Sequence, residues 1–325
     1  MSKISLTACS FYFRRSYSKS NLNVYNLNSI VETLDNKKSL IEFQDIKQIF
    51  ETFFEKYKAS VNNDEKQKTF RCNYNPCDCG ECEEFRYFYV TVQSGNYGSS
   101  SEIRDKDTNQ VKYIKNPQDA DEHSFVLFFV IPKDNAKVVA QKGMLFFQNL
   151  GPYGVKTITT NYMRSYFRDT FNMSLICATV SPELFINKLI KQYKLSKVQL
   201  VKNHKSSDSA DNLFLGYGVE TRELSNLSFK QNKLHTIKNN ILKFVNGKTN
   251  MFEFEGQYYD NAKFIVKVGD SQRTINLHNL DNLSIIEEVP DSLLKEDGNP
   301  DVPELIEYFI STAKEYIKDL VTQVE

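Results

Sequence analysis

Seven consecutive residues, 125–131, read Phe-Val-Leu-Phe-Phe-Val-Ile and stop at Pro132. Such a run has no position suited to water, so it predicts a buried central strand rather than a half-exposed one. It falls well short of the ~18–20 apolar residues that a membrane helix requires. Residues 144–147 are the next longest candidate and are shorter still, so no membrane partner is expected. A buried strand needs flanking strands and covering helices, and the sequence offers both.

Residues 4–13 alternate Ile4, Leu6 and Ala8, a strand pattern rather than a signal peptide. Residues 85–92, 143–148, 175–180 and 197–201 have the same character. Residues 102–114 predict a polar hairpin. Within 40–58, Ile46, Ile49, Phe50, Phe53, Phe54 and Tyr57 form one apolar helical stripe. Ser181-Pro182-Glu183 is a helix start: a capping serine, proline at the first position and an acid at the positive end. Leu305, Ile306, Phe309, Ile310, Ala313, Tyr316, Ile317 and Leu320 predict a final helix over 304–321.

The chain has 325 residues, more than one core usually holds, so two domains are expected. The polar stretch 203–212 marks the boundary, giving domains 1–205 and 206–325. In the second, 250–255 and 263–268 pair as a hairpin, and 273–277 and 283–289 continue the strand pattern. The expected class is α+β: a mixed or antiparallel sheet with packed helices, then a smaller sheet domain with a C-terminal helix.

Cys72, Cys77, Cys79 and Cys82 crowd a hairpin at 72–82 with the spacing C-x4-C-x-C-x2-C. Four thiolates suit the tetrahedral shell of zinc, with Pro76 and Gly80 supplying bends. The expectation is one structural zinc, since all four ligands come from one connection. The alternative is a polar hairpin tip with free thiols. Cys9 and Cys177 lie in apolar strand contexts and are expected as core thiols. With no export signal, the location expected is cytoplasmic and the thiols reduced.

The 41 basic and 41 acidic residues balance, which excludes a wholly basic binder but permits a local basic face. Residues 151–170 carry Lys156, Arg164 and Arg168 among Tyr153, Tyr162, Tyr166 and Phe167. Cations contact phosphates and flat rings stack on bases. Lys188, Lys191, Lys194 and Lys197 recur every three residues, which a helix would gather on one side, and Lys202, His204 and Lys205 extend the patch. A further set is Lys230, Lys233, Lys238, Lys243 and Lys248. The competing reading is a solvated lysine face with core aromatics.

No catalytic signature stands out. Arg273 and His278 have the R-x4-H spacing of HEPN-type ribonucleases, but Thr274 replaces the usual polar residue and the segment alternates like a strand. Glu253, Glu255, Asp260, Lys263 and Lys267 combine carboxylates with strand lysines, the combination of metal-dependent nucleases. Exposed hairpin charges give the same pattern. The four histidines are scattered, and no nucleophile–base pair emerges.

Around 125–201 the order of elements is an apolar strand, a small-residue turn, a short strand, a basic loop, then strand–helix–strand. In FVLFFVIPKDNAKVVAQKGMLFFQNLGPYGVK and the helix from Ser181 it resembles RexA and KwaB-type phage-exclusion proteins. That resemblance covers about a quarter of the chain. It implies a prokaryotic antiviral defence protein that binds DNA as a homodimer without being an enzyme. The cysteine hairpin departs from the pattern. Sequence therefore yields three expectations: a backbone-directed nucleic-acid binder (DNA favoured), a protein-interaction adaptor of a multi-gene system, or a metal-dependent nuclease.

Overall fold

The structure is a computed structural model that describes residues 4–16, 24–30, 45–135, 139–151, 153–178, 194–203, 219–225, 240–241, 243, 251–268, 271–276, 285–295 and 298–320. In chain order its elements begin with β1 (Ile4–Arg15), α1 (Ile46–Lys56), β2 (Val61–Asn63), β3 (Lys68–Asn73), β4 (Cys79–Glu81) and β5 (Phe85–Asn96). Then come β6 (Ser101–Arg104), β7 (Val111–Lys115), β8 (Asp121–Pro132), β9 (Gly143–Leu150), β10 (Tyr153–Gly154), α2 (Lys156–Phe171) and β11 (Met173–Ala178). The remainder are β12 (Lys194–Asn203), β13 (Val219–Ser225), β14 (Phe252–Phe254), β15 (Gln257–Tyr259), β16 (Asn261–Val268), β17 (Ser271–Asn276), β18 (Ile285–Glu288) and α3 (Val302–Leu320). The class is α+β, as expected.

The chain forms two compact units, one of Met1–Cys177 with Val289–Glu325 and one of Ala178–Glu288. The first is built on a sheet ordered β11-β1-β9-β8-β5-β3-β2. The apolar run lies in β8, between β5 and β9, and pairs antiparallel with both. On one side Phe125, Leu127 and Phe129 join Cys9, Phe11, Phe13, Phe88 and Val90 against α1 and α2. Phe50 of α1 is central here, 4.6 Å from the Phe129 ring and 5.2 Å from Phe167 of α2. On the other side Phe128 stacks on Phe309 of α3 at 5.0 Å, and Phe146 meets Phe309 and Tyr316. Helices on both faces are what an uninterrupted apolar strand requires.

Local chemistry fixes the helix ends. Asp45 caps α1 by accepting from the Lys47 N–H, and its carboxylate also pairs with Arg86 of β5 at 3.2 Å. Asn172 ends α2 in the left-handed region at φ 53°, which asparagine tolerates better than most residues. Gly143 faces Phe11 across the β1–β9 ladder. A Cβ there would come within 2.6 Å of the Phe11 ring and 2.8 Å of the Val130 carbonyl, so only glycine admits this approach.

Three expectations are corrected. The boundary at 205/206 falls just beyond β12, which is hydrogen-bonded to β13 and β16 in a single four-stranded sheet. The C-terminal helix belongs with the first unit, because its apolar stripe packs on Phe128 and Phe146. The hairpin predicted between 250–255 and 263–268 is instead β14–β15. It closes on Glu255 and Gly256, both at positive φ, which suits the twist of a two-residue turn. The helix predicted from Ser181 lies outside the described residues.

Candidate nucleic-acid interface

The second unit carries a four-stranded sheet ordered β13-β12-β16-β17. Val198, Leu200, Ala262 and Phe264 alternate along β12 and β16 and are buried on one side. Their neighbours make the other side, where Lys197 pairs with Ile265 and Gln199 with Lys263. A β-bulge between Leu195 and Lys197 shifts the register, so Lys194 pairs with Lys267. Lys197 and Lys263 share one side of the sheet. Gln199 is paired in register with Glu223 of β13.

This corrects the helical placement of Lys194 and Lys197. Three-residue spacing gathers side chains on a helix, but Lys194 and Lys197 lie on the strand β12. Lys202 is exposed at a position of opposite parity, paired with Glu220. Lys188, Lys191 and Lys205 lie outside the described residues. Lys263 and Lys267 were read from sequence only as nuclease candidates. The alternation of Ala262 and Phe264 with Lys263 and Ile265 was the signal that Lys263 faces away from the buried side.

The other predicted cations belong to the first unit. Arg164 and Arg168 lie on the exposed stripe of α2, and Lys156 is half-buried at its first turn. Arg168 is drawn to Asp169 at 2.9 Å, which reduces its attraction for an anion. The aromatics between them are not stacking platforms. Phe167 and Tyr166 are buried, and Tyr162 packs between Tyr57 and Phe70 at 5.1 and 4.9 Å. Amphipathic helical spacing placed them in the core, the alternative weighed from sequence. Tyr153 is exposed and lies over His123 at 4.6 Å.

Those two rings border a cavity of about 250 Å³ that also involves Lys68, Asn96, Asp121 and Gly154. It adjoins the start of α2, where Val155 provides no side-chain cap and the first turn has no acid. His123 Nε2 is enclosed without a hydrogen bond, 3.7 Å from the Asp121 carboxylate. The lining mixes cation, acid and imidazole.

The cysteine hairpin is spread along the edge of β5. Cys72 pairs with Val92 and Cys79 with Phe88, four residues along one strand. At about 3.3 Å per residue that is roughly 13 Å. Two thiolates on one zinc, each ~2.3 Å from the metal, cannot span it without a change of register. Cys72 shares the core face with Phe70, and burial pushes its thiol up to about 12. Cys79 is exposed, 3.5 Å from the Lys47 ammonium, and Cys77 is exposed beside it. Among the described residues, no three His, Cys, Asp or Glu side chains gather as a metal site. The carboxylates of the nuclease reading are equally dispersed: Glu253 is on β14, Glu255 in the turn and Asp260 precedes β16. Arg273 lies on β17, a strand, as its alternation predicted, and His278 is outside the described residues.

No protein-family model and no curated protein matches the chain.

Proposed function

We propose that the protein binds the sugar–phosphate backbone of a nucleic acid, DNA in preference, through the lysine side of the small sheet. The observation that supports this reading is the β12–β16 register, which sets Lys197 and Lys263 on the side opposite the buried Val198, Leu200, Ala262 and Phe264. A sheet face of point charges suits phosphates, which fix position without reading sequence. The role is one of binding rather than catalysis. The resemblance to phage-exclusion proteins would place such a binder in antiviral defence.

The test is fluorescence anisotropy of labelled single- and double-stranded DNA and RNA across a salt series. Neutralised phosphates release counterions, so log affinity should fall linearly with log salt. The double variant Lys197→Glu with Lys263→Glu should weaken binding at least about tenfold and flatten the salt slope, while its melting profile stays that of the parent chain. Absence of binding at low salt, or an unchanged affinity in the variant, would overturn the proposal.

One observation favours a second reading, a protein-interaction module. The β6–β7 hairpin was expected to be polar, yet it exposes Ile103, Val111, Tyr113 and Ile114. A stable stoichiometric protein partner lost on Tyr113→Ser, with no nucleic-acid binding, would decide for that reading.

A further inference from the structure

The hairpin β6–β7 forms a two-stranded sheet of its own. Each of its strands therefore keeps one edge whose backbone N–H and C=O groups meet no other strand among the described residues. Such an edge is a template for pairing with another chain, and folded proteins blunt it with lysines and bulges. β7 is blunted in both ways. It carries Lys112 and Lys115, and the register steps from Ile103–Tyr113 to Arg104–Val111, which leaves Lys112 as the extra residue of a bulge. β6 has neither device. Ser101, Glu102, Ile103 and Arg104 are all exposed, and none is a lysine.

The β6 edge is also complementary to itself. Glu102 and Arg104 lie on one side of the strand, where the Arg104 guanidinium donates to the Glu102 carboxylate. Ile103 lies between them on the other side, since strand side chains alternate. It is 52% exposed, and its register partner Tyr113 is 50% exposed. When β6 is laid antiparallel on β6 of a second copy with Ile103 opposite Ile103, Glu102 of each copy stands opposite Arg104 of the other. Four charges then alternate in sign around a closed square, and opposite charges across a ladder are favourable. On the other side Tyr113 and Ile103 of both copies form one apolar row across four strands. A slip of two residues sets Glu102 against Glu102 or Arg104 against Arg104, and a slip of one mixes charged with apolar positions. Charge and alternation therefore select a single register.

We propose that the free edge of β6 is a homodimer interface, in which two copies of this chain pair β6 with β6 about a two-fold axis at Ile103. Such a contact is isologous, so it closes at two copies instead of growing into a filament. The resulting sheet, β7-β6-β6-β7, ends on the blunted edge of β7 at both sides. The paired edge is short, and small interfaces give weak, concentration-dependent association. The interface lies in the first unit and uses none of the lysines assigned to nucleic-acid binding.

The test is sedimentation velocity of the full chain over a wide range of concentration, with no nucleic acid present, so its outcome is separate from that of the binding test. The parent chain should pass from one mass to twice that mass as concentration rises. Glu102→Arg alone, or Arg104→Glu alone, sets like charges opposite each other and should weaken self-association at least about tenfold. Both positions are exposed, so the melting profiles should stay those of the parent. The two single variants mixed together should dimerise again, because each supplies the charge the other lacks. The double variant Glu102→Arg with Arg104→Glu should dimerise by itself. A parent chain that is monomeric at every concentration, including one that instead holds a different protein along β6, would overturn the proposal. So would a dimer indifferent to both single variants, or a mixture of the two that stays monomeric.

Discussion

The two main sheets solve the same problem in opposite ways. The large sheet is covered on both faces, by α1 and α2 on one side and α3 on the other, so β8 holds apolar residues at every position from 125 to 132. In the small sheet Val198, Leu200, Ala262 and Phe264 are buried, while Lys197, Gln199, Lys263 and Ile265 between them are half-buried. A strand buried on both faces cannot present side chains to a ligand. A strand whose alternate residues are only half-buried can, and Lys197 and Lys263 are among those residues. On the proposed reading, binding would use the second unit's sheet rather than the first's.

Truncation in the covered sheet should give the largest effect. Phe50 meets the rings of Phe11, Phe13, Phe88, Phe129 and Phe167, so Phe50→Ala removes the centre of the α1–α2 side. The expected loss is about 3–5 kcal/mol in denaturant unfolding. Phe309→Ala opens the other side and should cost a comparable amount. If Phe309→Ala proved neutral while Phe50→Ala did not, α3 would be a peripheral cover and the two-sided description would fail.

A smaller effect is expected where the two outer layers depend on close strand packing. Gly143→Ala places a methyl group against the Phe11 ring and the Val130 carbonyl. Overpacking of this kind costs about 1–3 kcal/mol. The paired change Gly143→Ala with Phe11→Leu should recover part of that loss, which a cycle of the two single variants would reveal. Strict additivity would show that the contact is not what excludes a side chain at 143.

Much of the large sheet was legible because its signals are local. An uninterrupted run ending at Pro132 specifies a central strand, and the stripe from Ile46 to Tyr57 specifies a helix with one buried face. What those signals omit is the partner. The stripe on α3 says that a face is buried but not against which sheet, and the assignment to the second domain failed for that reason. The lysine side was legible only in part. Lys194 and Lys197 were found by their spacing, but a strand and a helix both accept it. The cysteine count was visible, yet the β3 and β4 registers decide which thiols face the core. Cys72 follows Phe70 by two residues on a strand, and that alternation already placed it on the apolar side.

The smallest effect separates Cys72 from its hairpin neighbours. Its thiol is raised by burial to about 12, from an ordinary value near 9.0, so the folded chain holds this proton where the unfolded chain has released it. Stability from this group is therefore complete below pH ~9 and declines as pH rises toward ~12, by about 1.4 kcal/mol per pH unit at most. Cys72→Ala should lose some stability at neutral pH by leaving a small cavity, and then decline less steeply than the parent above pH 9. Thiol titration of the folded chain at pH 8 supplies the second measurement. Cys77 and Cys79 should react at once, and Cys72 only on unfolding. Equal rates would mean that β3 leaves its register readily, which is the movement a four-thiolate ion would need. A silent Cys72 beside reactive Cys77 and Cys79 would confirm that the covered face extends to the sheet's edge, where the two-sided core gives way to an exposed hairpin.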